Sequence, residues 1–217
     1  MSKMQGGVTY RPFETSDFDA VATLLNRLWC SELIPEAGEL ASRIELAGYL
    51  AQTTHSLVAE LDDELVGAML LAELDRVPRD ATAWRRRHSR LVRLSHRNAH
   101  LAREVAKNSD VIDEESRLAE DFAASGAAEG AAVMKLLVVD PATHGRGIGG
   151  HLFGEARRYL REEGAEGFFL LTDDGCDVSF YDYKGLARTM TRPSQIESPA
   201  GGNGVDDFNL YVYADRL

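Results

Sequence analysis

Residues 136–153, LLVVDPATHGRGIGGHLF, constrain the fold more than any other stretch of this chain. An apolar run ends at Asp140-Pro141. Four glycines (Gly145, Gly147, Gly149 and Gly150) follow within six residues, and a helical pattern then resumes. A strand that enters a helix through a glycine-rich turn makes an anion site. The first N–H groups of the helix have no intrahelical acceptor, the helix dipole favours negative charge there, and glycine removes the Cβ atoms that would hold a ligand off the backbone. The turn is not a P-loop, because no Lys-Ser or Lys-Thr pair follows it. It is not the dinucleotide fingerprint either, since it lacks the closing G-x-x-G and sits late in the chain rather than opening a βαβ pair.

The 217 residues, 44% of them hydrophobic, suffice for one domain with an elaboration. A net charge of −11 argues against a global nucleic-acid binder. Cys30 and Cys176 show neither a CxxC pair nor a zinc spacing, so both read as buried thiols of a reducing compartment and no metal is expected. The start MSKMQGGVTYRPFE lacks the apolar run of a signal peptide, and no stretch is apolar enough to span a membrane. These features together predict a cytoplasmic protein with no membrane partner.

VTYRPFE (8–14) reads as a strand, followed by a helix capped by Thr15 or Ser16 whose stripe is Phe18, Val21, Ala22, Leu25, Leu28 and Trp29. A second helix is expected over Leu40–Leu50. Strands follow at 56–61 and 64–74, joined by a tight turn at Asp62-Asp63. Further strands are expected at 132–139, 167–172, near 187–191 and at 207–217, with helices over 147–163 and 178–184 and a loop at 198–204. The intervening stretch, 75–130, differs in character. Nine Arg and one Lys stand against two acids between Arg76 and Lys107, and seven acids against Arg117 between Asn108 and Gly130. This predicts a two-helix insertion, a basic arm and then an acidic arm capped at Ser109 or Asp110, packed as a hairpin that neutralises itself. Contact of Arg85, Arg86, Arg87, Arg90 and Arg93 with RNA is the competing reading; with Trp84 as the one aromatic among them, nucleic acid is the less favoured partner.

The stretch from Val139 to Phe153 resembles the acyl-CoA loop of the GCN5-related N-acetyltransferases, the GNAT superfamily. Their pattern [RQ]-x-x-G-x-[GA] maps onto His144, Gly145, Arg146, Gly147, Ile148 and Gly149, with His144 in place of the usual Arg or Gln. A second segment, S179-F-Y-D-Y-K-G-L, is similar to the family's F-Y-x-x-x-G-[FY] through Phe180, Tyr181 and Gly185. The resemblance covers about three quarters of the chain. It implies a single GNAT domain over 1–217, in the α/β (α+β) class, with a mixed, mostly antiparallel sheet flanked by helices and the 75–130 helices inserted between strands 3 and 4.

The resemblance also implies that acetyl-CoA is the co-substrate. The turn amides, through Gly150, would grip its pyrophosphate, while Leu137, Val138 and Val139 pair with the pantetheine arm. Asp174, standing where relatives carry Asn, and Phe180 would complete the cofactor side. Tyr181 would protonate the leaving thiolate, a role suited to a phenol of ordinary pKa near 10. The base is left between Asp173, Asp174 and Asp177, which read equally well as helix caps, and Glu73 at the end of the third strand. Acidic groups on the acceptor side favour a small cationic amine. Protein acetylation at a lysine or N-terminus, and a non-catalytic acyl-CoA-binding module, are the alternatives. A homodimer through the insertion or the last strand stays open.

Overall fold

A computed structural model of the chain describes residues 7–128, 131–195 and 208–217. Strand β1 (Val8–Arg11) leads through a 3-10 turn at Thr15–Asp17 into helix α1 (Phe18–Trp29). Thr15 and Ser16 are therefore inside the turn and do not cap α1. Asp17 stands at the N-cap of α1 without a side-chain bond into it; its carboxylate instead closes the 3-10 turn by accepting the Glu14 N–H at 2.7 Å, and it accepts the Arg11 guanidinium at 2.7 and 2.8 Å. Helix α2 (Pro35–Leu50) begins five residues earlier than the periodicity suggests, because Pro35 starts it with a preset φ. Trp29, expected in the buried stripe, is exposed at the end of α1.

Strands β2 (His55–Leu61) and β3 (Glu64–Glu73) form the hairpin, with Asp62 and Asp63 both at positive φ (52° and 64°) as a tight two-residue turn requires. Helices α3 (Ala81–Ser95) and α4 (Ala99–Ala124) then precede β4 (Ala131–Val139). The break between them falls at Asn98, whose side chain accepts the N–H groups of His100 and Leu101. The expected cap at Ser109 or Asp110 is thus corrected: both lie inside α4, and Ser109 bonds back to the Val105 carbonyl. The change of charge sign comes in mid-helix, because a charge boundary does not stop a helix and a good cap starts one.

Helix α5 (Ile148–Glu162), β5 (Gly167–Asp173), the single-turn helix α6 (Ser179–Tyr183), β6 (Ala187–Pro193) and β7 (Asn209–Arg216) complete the chain. The loop expected at 198–204 lies outside the described residues. Among the described residues no helix is long and apolar enough to cross a membrane.

The seven strands form one sheet in the order β1-β2-β3-β4-β5-β7-β6. Every pair is antiparallel except β4/β5. Helix α5 covers one face, where Leu152, Phe153, Ala156 and Leu160 pack on Met69, Leu71, Met134 and Phe168. On the other face α1 and α2, with Trp84 of α3, cover Val58, Ala68, Leu70, Leu136 and Val138. Helix α4 crosses that same face. Its first turns pack on α2 through Leu101 and Val105, and its last through Leu118 and Phe122 on Phe169, Leu210 and Val212. Each such buried side chain contributes about 1.5–3 kcal/mol, so the insertion is part of the core.

Candidate active site

The site starts from a defect in the sheet. Strands β4 and β5 pair only through Ala131–Val133 and Gly167–Phe169, and then separate. On its other edge β4 stays paired with β3 as far as Val139. The register there skips Lys135, between Met134 opposite Leu71 and Leu136 opposite Leu70, which is a β-bulge. A bulge bends its strand and raises the local twist. It also reverses the alternation of faces: Met134 and Leu137 pack on the α5 side, Val133 and Leu136 on the other. Beyond the bulge, Leu137, Val138 and Val139 face the opening with one edge unpaired by β5.

The glycine turn lies where that strand ends. Asp140 caps a short turn at Pro141–Thr143, and its side chain also meets Arg27 at 2.7 Å, fixing where β4 stops. Gly145 and Gly147 take positive φ (80° and 76°), a conformation that removes the usual polar cap from α5: Gly147 is its N-cap and no side chain bonds there. The first intrahelical bond is His151 N–H to Gly147 C=O at 2.9 Å. The N–H groups of Ile148, Gly149 and Gly150 precede it in the first turn, where an α-helix supplies no intrahelical acceptor. A Cβ added at Gly145 or Gly147 would meet nothing within 4 Å. Space and donors together fit a pyrophosphate in front of the turn. His144 and Arg146 are exposed beside it.

Lys184, which the sequence reading passed over, brings a cation to the same place. Its Nζ lies 3.4 Å from where a Cβ on Gly150 would stand and sits over the Phe180 ring at 5.4 Å. Phe180 in turn packs edge-on against Phe153 of α5, 5.7 Å between centroids, and borders Gly149.

Tyr181 is held by the way α6 ends. Gly185 takes φ +80°; its N–H bonds to the Asp182 carbonyl, and the Leu186 N–H bonds to the Tyr181 carbonyl at 3.1 Å. This is a Schellman closure, and it explains the glycine four residues after Tyr181. No partner for the Tyr181 hydroxyl is found among the described residues. Burial raises its pKa well above the phenol value, and the neighbouring Cys176 adds to the effect.

The acidic candidates separate into different jobs. Asp174 accepts from the Asn209 backbone and side chain at 2.8 and 3.0 Å and from Tyr211, so it ties β5 to β7. Burial pushes its pKa up, but those hydrogen bonds win and hold it low. Asp177 is exposed and accepts from Ser179 at the start of α6. Asp173 is half-buried, its Oδ1 accepting the Gly175 N–H at 2.7 Å, and burial followed by the charge of Asp174 raises its pKa.

Glu73 is not brought to this place. It pairs with Ala132, seven residues and roughly 23 Å of strand from Val139. There it accepts from Tyr159, Thr54 and Arg76, next to a cavity of about 410 Å³ lined by Thr54, Arg76, Trp84 and Tyr159 among others. The sequence reading had it facing the acceptor side from the end of the third strand; the antiparallel register puts the end of β3 at the start of β4.

What Asp173 faces instead comes from the helices. Glu45 of α2 is buried and accepts from Tyr49 at 2.8 Å and from Asn108 at 3.3 Å. Glu115 of α4 has no hydrogen-bond partner among the described residues. Burial, then the charges of Asp173 and Glu45, raises its pKa to about 8. The bulge residue Lys135 is the counter-charge, its own pKa lowered by burial and raised by Glu115. Cys176 joins the group, its thiol pushed to about 12 by burial and by Asp173. Three carboxyl groups and one amine, two of the carboxyls carried by helices on the face opposite α5, thus act on one another's charge. Glu45, Glu115 and Lys135 carried no sequence motif; the available signal was Glu115 as the one acid on the apolar face of Ile112, Leu118 and Phe122.

A seven-stranded, mostly antiparallel sheet opened at its one parallel pair, with a glycine turn at the mouth, is the fold of the GNAT acetyltransferases. Solved structures of that class superpose over nearly the whole chain. A GNAT-family acetyltransferase from Desulfovibrio desulfuricans is 14% identical, with 97% of this chain and 99% of that one covered and a TM-score of 0.54. The ribosomal-protein-S18-alanine N-acetyltransferase from Escherichia coli is 9% identical, with 97% and 94% covered and a TM-score of 0.53. A GNAT acetyltransferase from Elizabethkingia anophelis, solved with acetyl-CoA bound, is 13% identical, with 97% and 98% covered and a TM-score of 0.52. No protein-family model matches the sequence. No curated protein matches it either.

Proposed function

We propose that the protein is an acetyl-CoA-dependent N-acetyltransferase acting on a small, cationic primary amine. The observation that carries this reading is the opening between β4 and β5 with uncapped amides at its mouth. The amides of Gly147 to Gly150 and the Lys184 ammonium bind the pyrophosphate, and the free edge of Leu137–Val139 pairs with the pantetheine arm. The thioester then lies at the fork, where a β4 backbone N–H polarises its carbonyl.

On the opposite side the Glu45, Glu115 and Asp173 group draws in the ammonium form of the acceptor. Asp173 or Glu115 takes one proton, the freed amine attacks the acetyl carbon, and the C–S bond breaks as the C–N bond forms. Tyr181 gives its proton to the departing thiolate, whose pKa is of the same order as a phenol's, and the second proton of the attacking nitrogen passes back to the Tyr181 phenolate. Glu45 is buried and Glu115 partly so, which supports a small molecule over a folded protein substrate.

The test is a thermal-shift titration with acetyl-CoA, with ATP and NAD as controls, followed by an amine screen read by free thiol. A saturable rise with acetyl-CoA alone is expected, by binding to the native state. Tyr181→Phe should keep that rise and lose turnover by about 10²–10⁴-fold. Equal shifts with all three ligands would reduce the turn to a generic anion site.

A further inference from the structure

The arginines of the basic arm are short of carboxylate partners. Elsewhere among the described residues eight of twelve arginines, Arg11, Arg27 and Arg76 among them, lie within 4 Å of a carboxylate, and Arg117, Arg146, Arg161 and Arg216 do not. Between positions 79 and 103 stand eight more. Among the described residues none of those is so placed. Arg87 is accounted for by stacking on Phe18, 3.6 Å from its ring centre. Arg85, Arg86, Arg90, Arg93 and Arg97 are exposed.

The expected hairpin pairing of the two arms is not seen: among the described residues no ion pair links them, and of the acids Glu114 binds Ser194 and the Gln195 N–H while Asp121 binds Arg192. Helix α3 lies along α2 through Trp84 and Leu91. Its outer face therefore carries Arg86, Arg90 and Arg93 at helical spacing over about 10 Å, and Arg97 follows in the turn beyond the helix. Like charges three and four residues apart repel, and nothing among the described residues offsets that. A shallow groove of about 390 Å³ runs beside the row, lined by Thr82, Arg85, Arg86, Ser89 and Arg93.

We infer that this face of α3 docks the phosphate backbone of double-stranded RNA. Single strands are bound on aromatic platforms, and the aromatic here, Trp84, is turned into the core. A membrane-lying helix presents apolar side chains, and the exposed positions 82, 83, 85, 86, 89, 90 and 93 hold none larger than alanine. The exposed positions of α3 offer arginine, serine, threonine and alanine alone, so the mixed donors and acceptors that read base edges deep in the major groove of B-DNA are lacking and entry there gains little. The wide, shallow minor groove of an A-form duplex needs no such entry. Its flanking phosphates meet the arginines, and its 2′-hydroxyls meet Thr82 and Ser89. The acidity of the rest of the molecule does not prevent this, since charges beyond about 8 Å are largely screened at physiological salt.

The test is fluorescence anisotropy of a labelled RNA duplex of about 16 base pairs with the full chain, across salt. Saturable binding is expected, with about four phosphate contacts and so a roughly 100-fold loss of affinity between about 50 and 200 mM salt. The charge reversal Arg86→Glu/Arg90→Glu/Arg93→Glu should abolish it while leaving the melting temperature and the acetyl-CoA shift in place. If that variant fails to fold, Arg90→Ala/Arg93→Ala should weaken binding about tenfold. No binding at low salt, binding that survives these changes, or equal or tighter binding of a B-DNA duplex, a single strand or phosphatidylserine vesicles would each overturn the inference.

Discussion

Lys135 and Glu115 show how much of the site depends on single residues that the sequence does not announce. Lys135 is one more lysine in an apolar strand until the register is known; the bulge then makes it the residue at which β4 turns away from β5. Glu115 is one of seven acids in its stretch, legible as part of a helical face with Leu118 and Phe122 but not as a partner of Asp173, 58 positions on. By contrast Gly147, Tyr181 and Asp173 were readable, because a turn, a short segment and a strand end carry local pattern.

The chemistry of Glu115 gives a stability prediction. Its pKa is 4.5 in the free side chain and about 8 in the fold. Between those values the folded chain keeps a proton that the unfolded chain has lost, so this group makes stability fall as pH rises from about 4.5 to 8, and no further above that. Glu115→Gln should flatten that fall. Urea midpoints of both proteins near pH 5 and pH 8 measure it: an unchanged difference between the two pH values would mean that Glu115 titrates normally.

Helix α6 is too short to stand by its own propensity, since a first turn costs more order than its hydrogen bonds return. Its stability comes from the Gly185 closure and from Leu186 in the core. Gly185→Ala should lower stability by about 1–2 kcal/mol, the penalty of a left-handed non-glycine residue, and should reduce turnover by loosening Tyr181. Gly185→Asn, which tolerates that conformation better, should recover most of both; thermal melts and thiol-release rates on the two variants decide it. The insertion makes the opposite case for legibility. Its two helices and their charge were plain in the sequence, but their partners were not. Apolar periodicity reports which face is buried and is silent on what buries it. Here α3 went to α2, and the acidic half of α4 went to β5, β6 and β7.

At the scale of the whole molecule, the order of strands and helices followed from the sequence, and so did the place of the insertion. The opening did not, because the end of β4/β5 pairing at Val133 and Phe169 is set by a bulge and by α4 packing on Phe169, neither of which leaves a local pattern. The unpaired edge of β4 predicts a hydrogen-exchange signature. Amides within residues 135–139 that face the fork should exchange faster than their neighbours bonded to β3, and acetyl-CoA should slow them by at least tenfold as the arm adds to the edge. Uniform protection of the strand in the free protein would contradict an open fork.

The same three-residue pairing has a mechanical meaning. Strands β1 to β4 and β5 to β7 are two stiff plates joined along Ala131–Val133 and Gly167–Phe169, with α5 along one side of the joint and α4 along the other. Such a body is a pair of tongs. Its softest deformation is the angle between the plates, and whatever lies in the jaws sets that angle. Helix α4 packs on both plates, through Ala72 and Val133 on one and Phe169, Leu210 and Val212 on the other, so it is the strut that would have to yield for the jaws to widen.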